Sequence, residues 1–149
     1  RSIMIDMSTI KFCDETMLKK LKGIHFIADY LNKKEEEIKQ FNTDAKVDLS
    51  NFVNGRRITN LGTFRVYVEA YLGNHPMITK EMTFLVRHLE SSDKGLPIEI
   101  YIFSSEQRWA HYEAIQADIF DHLFAVLPEF DLKIFQSPSG EDFRSGMRK

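Results

Sequence analysis

"MTFLVRHLESSDKGLPIEIYIF", residues 82–103, decides how the rest of the chain is read. Two runs rich in β-branched and aromatic residues, 82–90 and 96–103, flank the polar segment SSDKG, which predicts two antiparallel strands and a hairpin loop. In the second run Ile98, Ile100 and Ile102 share one face, and Glu99, Tyr101 and Phe103 share the other. His88 falls on the face of Phe84 and Val86 and is expected to be a sheet histidine with its polar atoms satisfied. A hairpin with one apolar face has to be covered, so helices are expected nearby.

Downstream, residues 107–127 predict a helix ended by Pro128. At about 100° per residue, Tyr112, Ile115, Ile119, Leu123 and Val126 form its core stripe. "FDLKIF" (130–135) reads as a last strand, and "QSPSGEDFRSGMRK" as a polar tail, with residues 137–149 flexible.

Upstream, "TNLGTFRVYVEAYLGNHP" (59–76) carries two patterns. Leu61, Phe64, Val68 and Tyr71 fall at helical spacing, while Phe64, Val66 and Val68 also alternate as in a strand. The stop signal GNHP favours the helix. "NTDAKVDLSNFVNGRR" (42–57) is a loop rich in Asn, Asp, Ser and Gly. Before it, Met17, Leu21, Ile24, Ala28, Leu31 and Ile38 recur at helical steps and predict one amphipathic helix. Asp14 is its N-cap, Glu15 suits its first turn, and NKKEEEIK is a solvated face. "SIMIDMSTIKF" (2–12) has no breaker and reads as a strand. The order is β, α with a helical excursion, β, β, α, β. That is an α+β fold of the ferredoxin-like, split βαββαβ kind, which by itself assigns no function.

Composition narrows the classes. The chain has 149 residues, 43% hydrophobic and 28% charged, which suits one globular domain. A net charge of −2 gives no general attraction to nucleic acid. One cysteine, Cys13, excludes an internal disulfide framework and fits a reducing compartment. No apolar run is long enough for a bilayer, and no signal-peptide pattern is present. The chain opens on Arg1 without an initiator Met, so a fragment of a longer protein is expected.

The tempting chemistry lies in "QADIFDHLFAV" (116–126), where Asp118, Asp121 and His122 stand at spacings that metalloenzymes use. Asp121 points away from the core stripe, while His111, Asp118 and His122 share one flank. His111 lies roughly 10 Å along the axis from Asp118, and zinc needs three convergent ligands. The expectation is therefore an acid–imidazole pair, Asp118 with His122, on a packing helix. Cys13 beside Asp14 and Glu15 has the wrong electrostatics for a reactive thiol. His75 belongs to a helix stop, and "GRR" (55–57) is a basic spot in a solvated loop without interleaved aromatics. No catalytic residues, cofactor-binding residues or metal ligands are assigned, since neither a nucleophile motif nor a phosphate loop is present.

"RRITNLGTFRVYVEAYLGNHP", "GLPIEIYIF" and "YEAIQADIFDHLFAVLPEFDLKIFQSPSG" together resemble the C-terminal cytoplasmic region of the small-conductance mechanosensitive channels. The similarity is greatest to the miniconductance branch, with DIFDHL followed by LPEF as its most specific run, and weakest across residues 33–54. "RSIMIDMSTIKFCDETMLKKL" resembles the segment joining that family's middle β-domain to its α/β domain. The resemblance implies that residues 1–12 end the β-domain and that residues 13–136 form the α/β domain. It also implies a helix over 61–73 and a helical arm inserted at about 22–57. Further, it implies a bacterial inner-membrane channel whose subunits form a ring, heptameric in the family. The cytoplasmic vestibule of such a channel passes ions and small solutes when tension opens the pore in hypo-osmotic shock. It implies no catalytic residues and no cofactor, and contact with the membrane only through a preceding region. Phe130, Leu132, Ile134 and Phe135 are the subunit contacts it suggests. A small regulatory domain binding a ligand on a ferredoxin-like sheet is the alternative, and a metal enzyme using Asp118 and His122 a third class.

Overall fold

A computed structural model describes residues 1–82, 84–105 and 107–148. Thr83, inside the expected strand 82–90, and Lys149, at the end of the expected tail, lie outside the described residues. The strands are β1 (Ser2–Ile5), β2 (Ile78–Thr79), β3 (Leu85–His88), β4 (Leu96–Tyr101) and β5 (Phe103–Ser104). The helices are α1 (Glu15–Leu21), α2 (Ala28–Asp44), α3 (Asn60–Gly73), α4 (Trp109–Val126) and α5 (Gly140–Met147). The architecture is mixed α+β with two small antiparallel sheets, β1-β4-β3 and β2-β5.

The expected hairpin is present. β3 pairs with β4 in the register Val86↔Ile100 and Arg87↔Glu99, and Ser92 and Gly95 exchange backbone hydrogen bonds of 3.0 and 3.1 Å across the turn. Gly95 has φ +94°, a conformation that side chains with a Cβ rarely adopt. Ile98, Ile100 and Ile102 are buried, as their alternation predicts. His88 shares the face of Val86 but is exposed, because β3 ends there. The expected strand 96–103 divides at Ile102. Beyond it the chain leaves β4 and pairs with β2, tied by Ser105 N–H donating to the Met77 carbonyl at 2.9 Å.

β1 is shorter than the expected strand 2–12. Asp6 accepts from the Ser8 N–H at 2.9 Å and caps a 3-10 turn over Met7–Thr9, a local bond that short polar side chains offer in competition with a sheet ladder. Asp14 caps α1 as expected, accepting from Met17 N–H at 2.8 Å. The single helix expected from Met17 to Ile38 is two helices, broken at residues 22–27. Leu21 and Ile27 are both fully buried. Six residues apart, on one straight helix they would stand about 120° from each other, off a single narrow seam. Gly23, disfavoured inside a helix, supplies the break.

α3 resolves the ambiguous stretch as a helix, capped by Thr59 through the Gly62 N–H at 3.0 Å. Its Phe64, Val68 and Leu72 meet Ile3, Ile5 and Ile98 of the sheet and Ile119 and Leu123 of α4 in one core. The stripe of α4 is rotated from the expected one: Gln116, Ile119, Phe120 and Leu123 are buried, followed by Leu127. A buried Gln116 is tolerable because its Nε2 donates to the Tyr112 hydroxyl at 2.9 Å, and an apolar pattern cannot anticipate that pair.

After α4 the chain makes a 3-10 turn, Leu127–Phe130, with Pro128 in its first positions, closed by Asp131 in the left-handed region at φ 54°. The expected strand 130–135 is reduced to one antiparallel bridge, Ile5↔Ile134, flanked by Phe135 N–H to Met4 O at 2.8 Å and Asp6 N–H to Lys133 O at 2.9 Å. The tail expected to be flexible contains α5. Ser139 and Asp142 form a reciprocal capping box at its start, which satisfies the end groups that a short helix otherwise leaves open.

Candidate functional site

α4 presents His122 toward α3. The imidazole Nε2 and the Tyr67 hydroxyl share a hydrogen bond of 2.6 Å, and the Tyr71 ring stacks on the imidazole at 4.2 Å with 6° between the planes. His75 closes the row edge-on to Tyr71 at 6.1 Å. Burial raises the phenol pKa of Tyr67 and Tyr71; at Tyr71 the Asp118 carboxylate adds to the rise. The expected pairing of His122 with Asp118 is thus replaced by a pairing across the helix interface, because the flank of α4 that bears His122 is covered by α3. Asp118, Asp121 and His111 are exposed, and Glu113 binds the Arg1 guanidinium at 2.8 Å. Among the described residues no group of three or more His, Cys, Asp or Glu side chains is placed to hold a metal ion.

The arm, α2 and the loop after it, is held by its own polar side chains. Asn42 accepts from Arg56 N–H at 2.8 Å and donates to the Arg56 carbonyl at 3.0 Å, pinning the end of the loop to the helix. Arg57, read from the sequence as solvated, donates to the carbonyls of Phe52 at 3.1 Å and Leu49 at 2.9 Å and lies 4.7 Å over the Phe52 ring. Arg56 binds Glu37 at 3.1 Å and lies 5.2 Å over the Phe41 ring. Phe41 is remote from GRR in sequence and only the fold brings it to Arg56, whereas Phe52 belongs to the same loop as Arg57. Leu49, Phe52 and Val53 remain exposed at the tip.

Between the arm and α1 lies a cleft of about 460 Å³ whose lining includes Cys13, Leu18, Glu35, Asn42, Arg56 and Arg57. A Lys22–Glu35 ion pair joins the segment after α1 to α2. Burial, and next the Asp14 carboxylate, push the Cys13 thiol up to about 11. Such a thiol is a poor nucleophile at neutral pH.

The C-terminal edge carries the four residues expected at subunit contacts. Phe130 and Leu132 are buried within the chain's own core, Phe130 edge-on to Phe64 at 5.3 Å. Ile134 and Phe135 are half-buried along β1. A cleft of about 300 Å³ opens here, lined among others by Phe124, Pro128, Leu132, Lys133 and Ile134. Lys11–Asp131 at 2.8 Å and Lys20–Glu129 at 3.2 Å fasten the edge to the first part of the chain. The hydrogen bond from Lys11 holds the Asp131 carboxyl below its ordinary range. Phe124, 41% exposed, is part of this surface that periodicity alone passes over. The exposed Phe143 and Met147 of α5 escape notice when the tail is read as coil; Ser139 and Asp142, three residues apart, are the signal in the sequence that could have found them.

No protein-family model matches the chain. No helix among the described residues is long and apolar enough to cross a membrane. In chemical terms the molecule offers an apolar edge bordered by charges and a mixed-charge cleft beneath an arm.

Proposed function

We propose that this chain is the vestibule region of a bacterial mechanosensitive channel of the small-conductance class, nearest its miniconductance branch. On this reading it stands on the cytoplasmic side of the inner membrane as one member of a ring, past which ions and small solutes leave during hypo-osmotic shock. Its work is structural. It needs no cofactor and does not bind nucleic acid. The observation that carries the reading is the path of residues 133–135 along the free side of β1. It supports the reading because a chain segment at 133–135 beside β1, followed by β4 and β3, is the order expected of a split βαββαβ sandwich, with α3 and α4 contributing to the core. The stretches that resemble the channel family supply α3, β4, α4 and this edge, while the weakly similar stretch is most of α2 and its loop. Suction on membrane patches holding the intact parent protein is expected to open a pore. A well-expressed, correctly inserted parent that stays silent under tension overturns the reading.

The cleft of about 460 Å³ beside the arm favours a second reading, a small regulatory domain that binds a ligand there. It predicts a small molecule that raises the melting temperature saturably, by linkage. A broad metabolite screen with no such shift removes it.

A further inference from the structure

We infer that α5 of one copy docks in the C-terminal-edge cleft of a second copy; the inference rests on the self-association that the proposed function requires. α5 buries no residue in its own chain. An eight-residue helix is far shorter than an isolated helix needs to persist in water, capping box or not, so α5 calls for a surface to lie on. It carries an apolar stripe: Phe143 and Met147, one turn apart, are 65% and 84% exposed.

The receiving surface is the cleft at Phe124, Pro128 and Ile134. Its volume of about 300 Å³ lies at the small end of ligand pockets and suits one or two inserted side chains. Charge orients the match. Arg144 and Arg148 each follow a residue of the α5 stripe, and Glu141 lies in its first turn. Around the cleft, Asp121 stands one turn before Phe124 on α4, Glu129 follows Pro128, and Lys133 is in the lining. The basic end of α5 therefore faces acids, and its acidic start faces Lys133. The Lys20–Glu129 pair that Arg148 or Arg144 would compete with is itself more than half exposed and weakly held.

The occupant is another copy because the chain's own α5 does not cover this cleft. Only Ser137, Pro138 and Ser139 separate Gln136, part of the cleft lining, from the start of α5. Three residues reach about 10 Å at most, too little to carry α5 past the cleft and back along it. Helix and cleft are different surfaces, so the contact is heterologous. Such contacts close into rings or run on as filaments, unlike the self-complementary contact of a two-fold dimer.

The test uses the intact chain at several concentrations by sedimentation. Association is expected, weakened at least tenfold by Phe143→Ser with Met147→Ser, and equally by Phe124→Ser. Arg144→Glu with Arg148→Glu weakens it, and Asp121→Arg with Glu129→Arg restores it. In a Cys13→Ser background, Phe143→Cys in one population and Phe124→Cys in another are expected to give a mixed disulfide on oxidation. Unchanged circular dichroism shows that each variant folds. If the chain associates but is insensitive to these variants, the inference is wrong while the ring reading survives through another surface. If the chain is a monomer at every concentration and no mixed disulfide forms, the inference is also wrong, and tension recordings on the parent decide the ring reading separately.

Discussion

His122 and Tyr71 lie 4.2 Å apart with their rings 6° from parallel, although they come from different helices and neither is fully buried. Together with the 2.6 Å bond to Tyr67, this stack ties α4 to α3. His122→Ala is expected to cost about 1–3 kcal/mol in urea unfolding at pH 7.5, from lost stacking and an orphaned hydroxyl. Tyr67→Phe removes only the bond and is expected to cost about 0.5–1.5 kcal/mol. The double variant should cost less than the sum, because one interaction is removed twice. Strict additivity would show that the two side chains act independently.

Asn60 is fully buried, and its side chain joins three segments. Its Nδ2 donates to the carbonyls of Thr9 at 2.9 Å and Phe130 at 3.0 Å, while its Oδ1 accepts from Lys11 N–H at 2.9 Å. Oδ1 also accepts from Leu61 N–H at 2.9 Å, so Asn60→Ala strands four backbone groups and is expected to cost about 2–4 kcal/mol. Chemical denaturation measures this directly; a loss below about 1 kcal/mol would mean that water replaces the amide.

Gly95 and Gly73 make a matched pair of tests. A Cβ at Gly95 would run into the Ile5 carbonyl and stand 3.1 Å from the Phe135 Cβ, at φ +94°. Gly95→Ala is expected to destabilise by about 2 kcal/mol or more and to loosen the edge that Phe135 forms. Gly73 meets nothing within 4 Å, so Gly73→Ala should be neutral or stabilising by up to about 1 kcal/mol. Thermal melts of the two variants compare space and backbone strain against chain entropy.

Cys13 links the arm cleft to pH. Its thiol is raised from an ordinary 9.0 to about 11, by burial first and Asp14 second. Below pH 9 the folded and unfolded chains both keep the proton, and the neutral thiol's contribution is fully present. Between about 9 and 11 the unfolded chain loses its proton first, so stability falls as pH rises through the folded value. The gap between the folded and unfolded values bounds the loss at about 2.7 kcal/mol, and the solvent contact that the thiol keeps reduces it further. Cys13→Ser should remove that part of the alkaline slope. At pH 8, iodoacetamide should modify folded Cys13 about 100-fold more slowly than the unfolded chain. Equal rates would show that the thiol is solvated.

The hairpin was legible because both of its signals are local: a period of two and a turn ending in glycine. Cap residues were legible for the same reason at Asp14, and would have been at Ser139. The misjudged elements were those in which a polar group replaces an apolar one in the pattern. Gln116 enters the core with Tyr112 as its partner, and Asp6 ends β1 by binding Ser8 instead of a neighbouring strand. Of the candidate surface, Ile134 and Phe135 were named from the sequence; Phe124 and the face of α5 were not. Whether an apolar residue is core or surface depends on what lies over it.

The sequence by itself determined the class of the molecule: an α+β domain with an Ile-rich strand at its centre, a helix stopped at GNHP and another at Pro128. These follow from periodicity, propensity and steric rules that act within a few residues. Only the tertiary structure decided that α1 and α2 are separate, that His122 answers to Tyr67 and Tyr71, and that Arg56 and Arg57 bind Glu37 and their own loop. The His122 and Arg56 pairings depend on groups distant in sequence competing for the same partner. The winner is set by which surfaces the packed core brings together, and a local pattern does not contain that information.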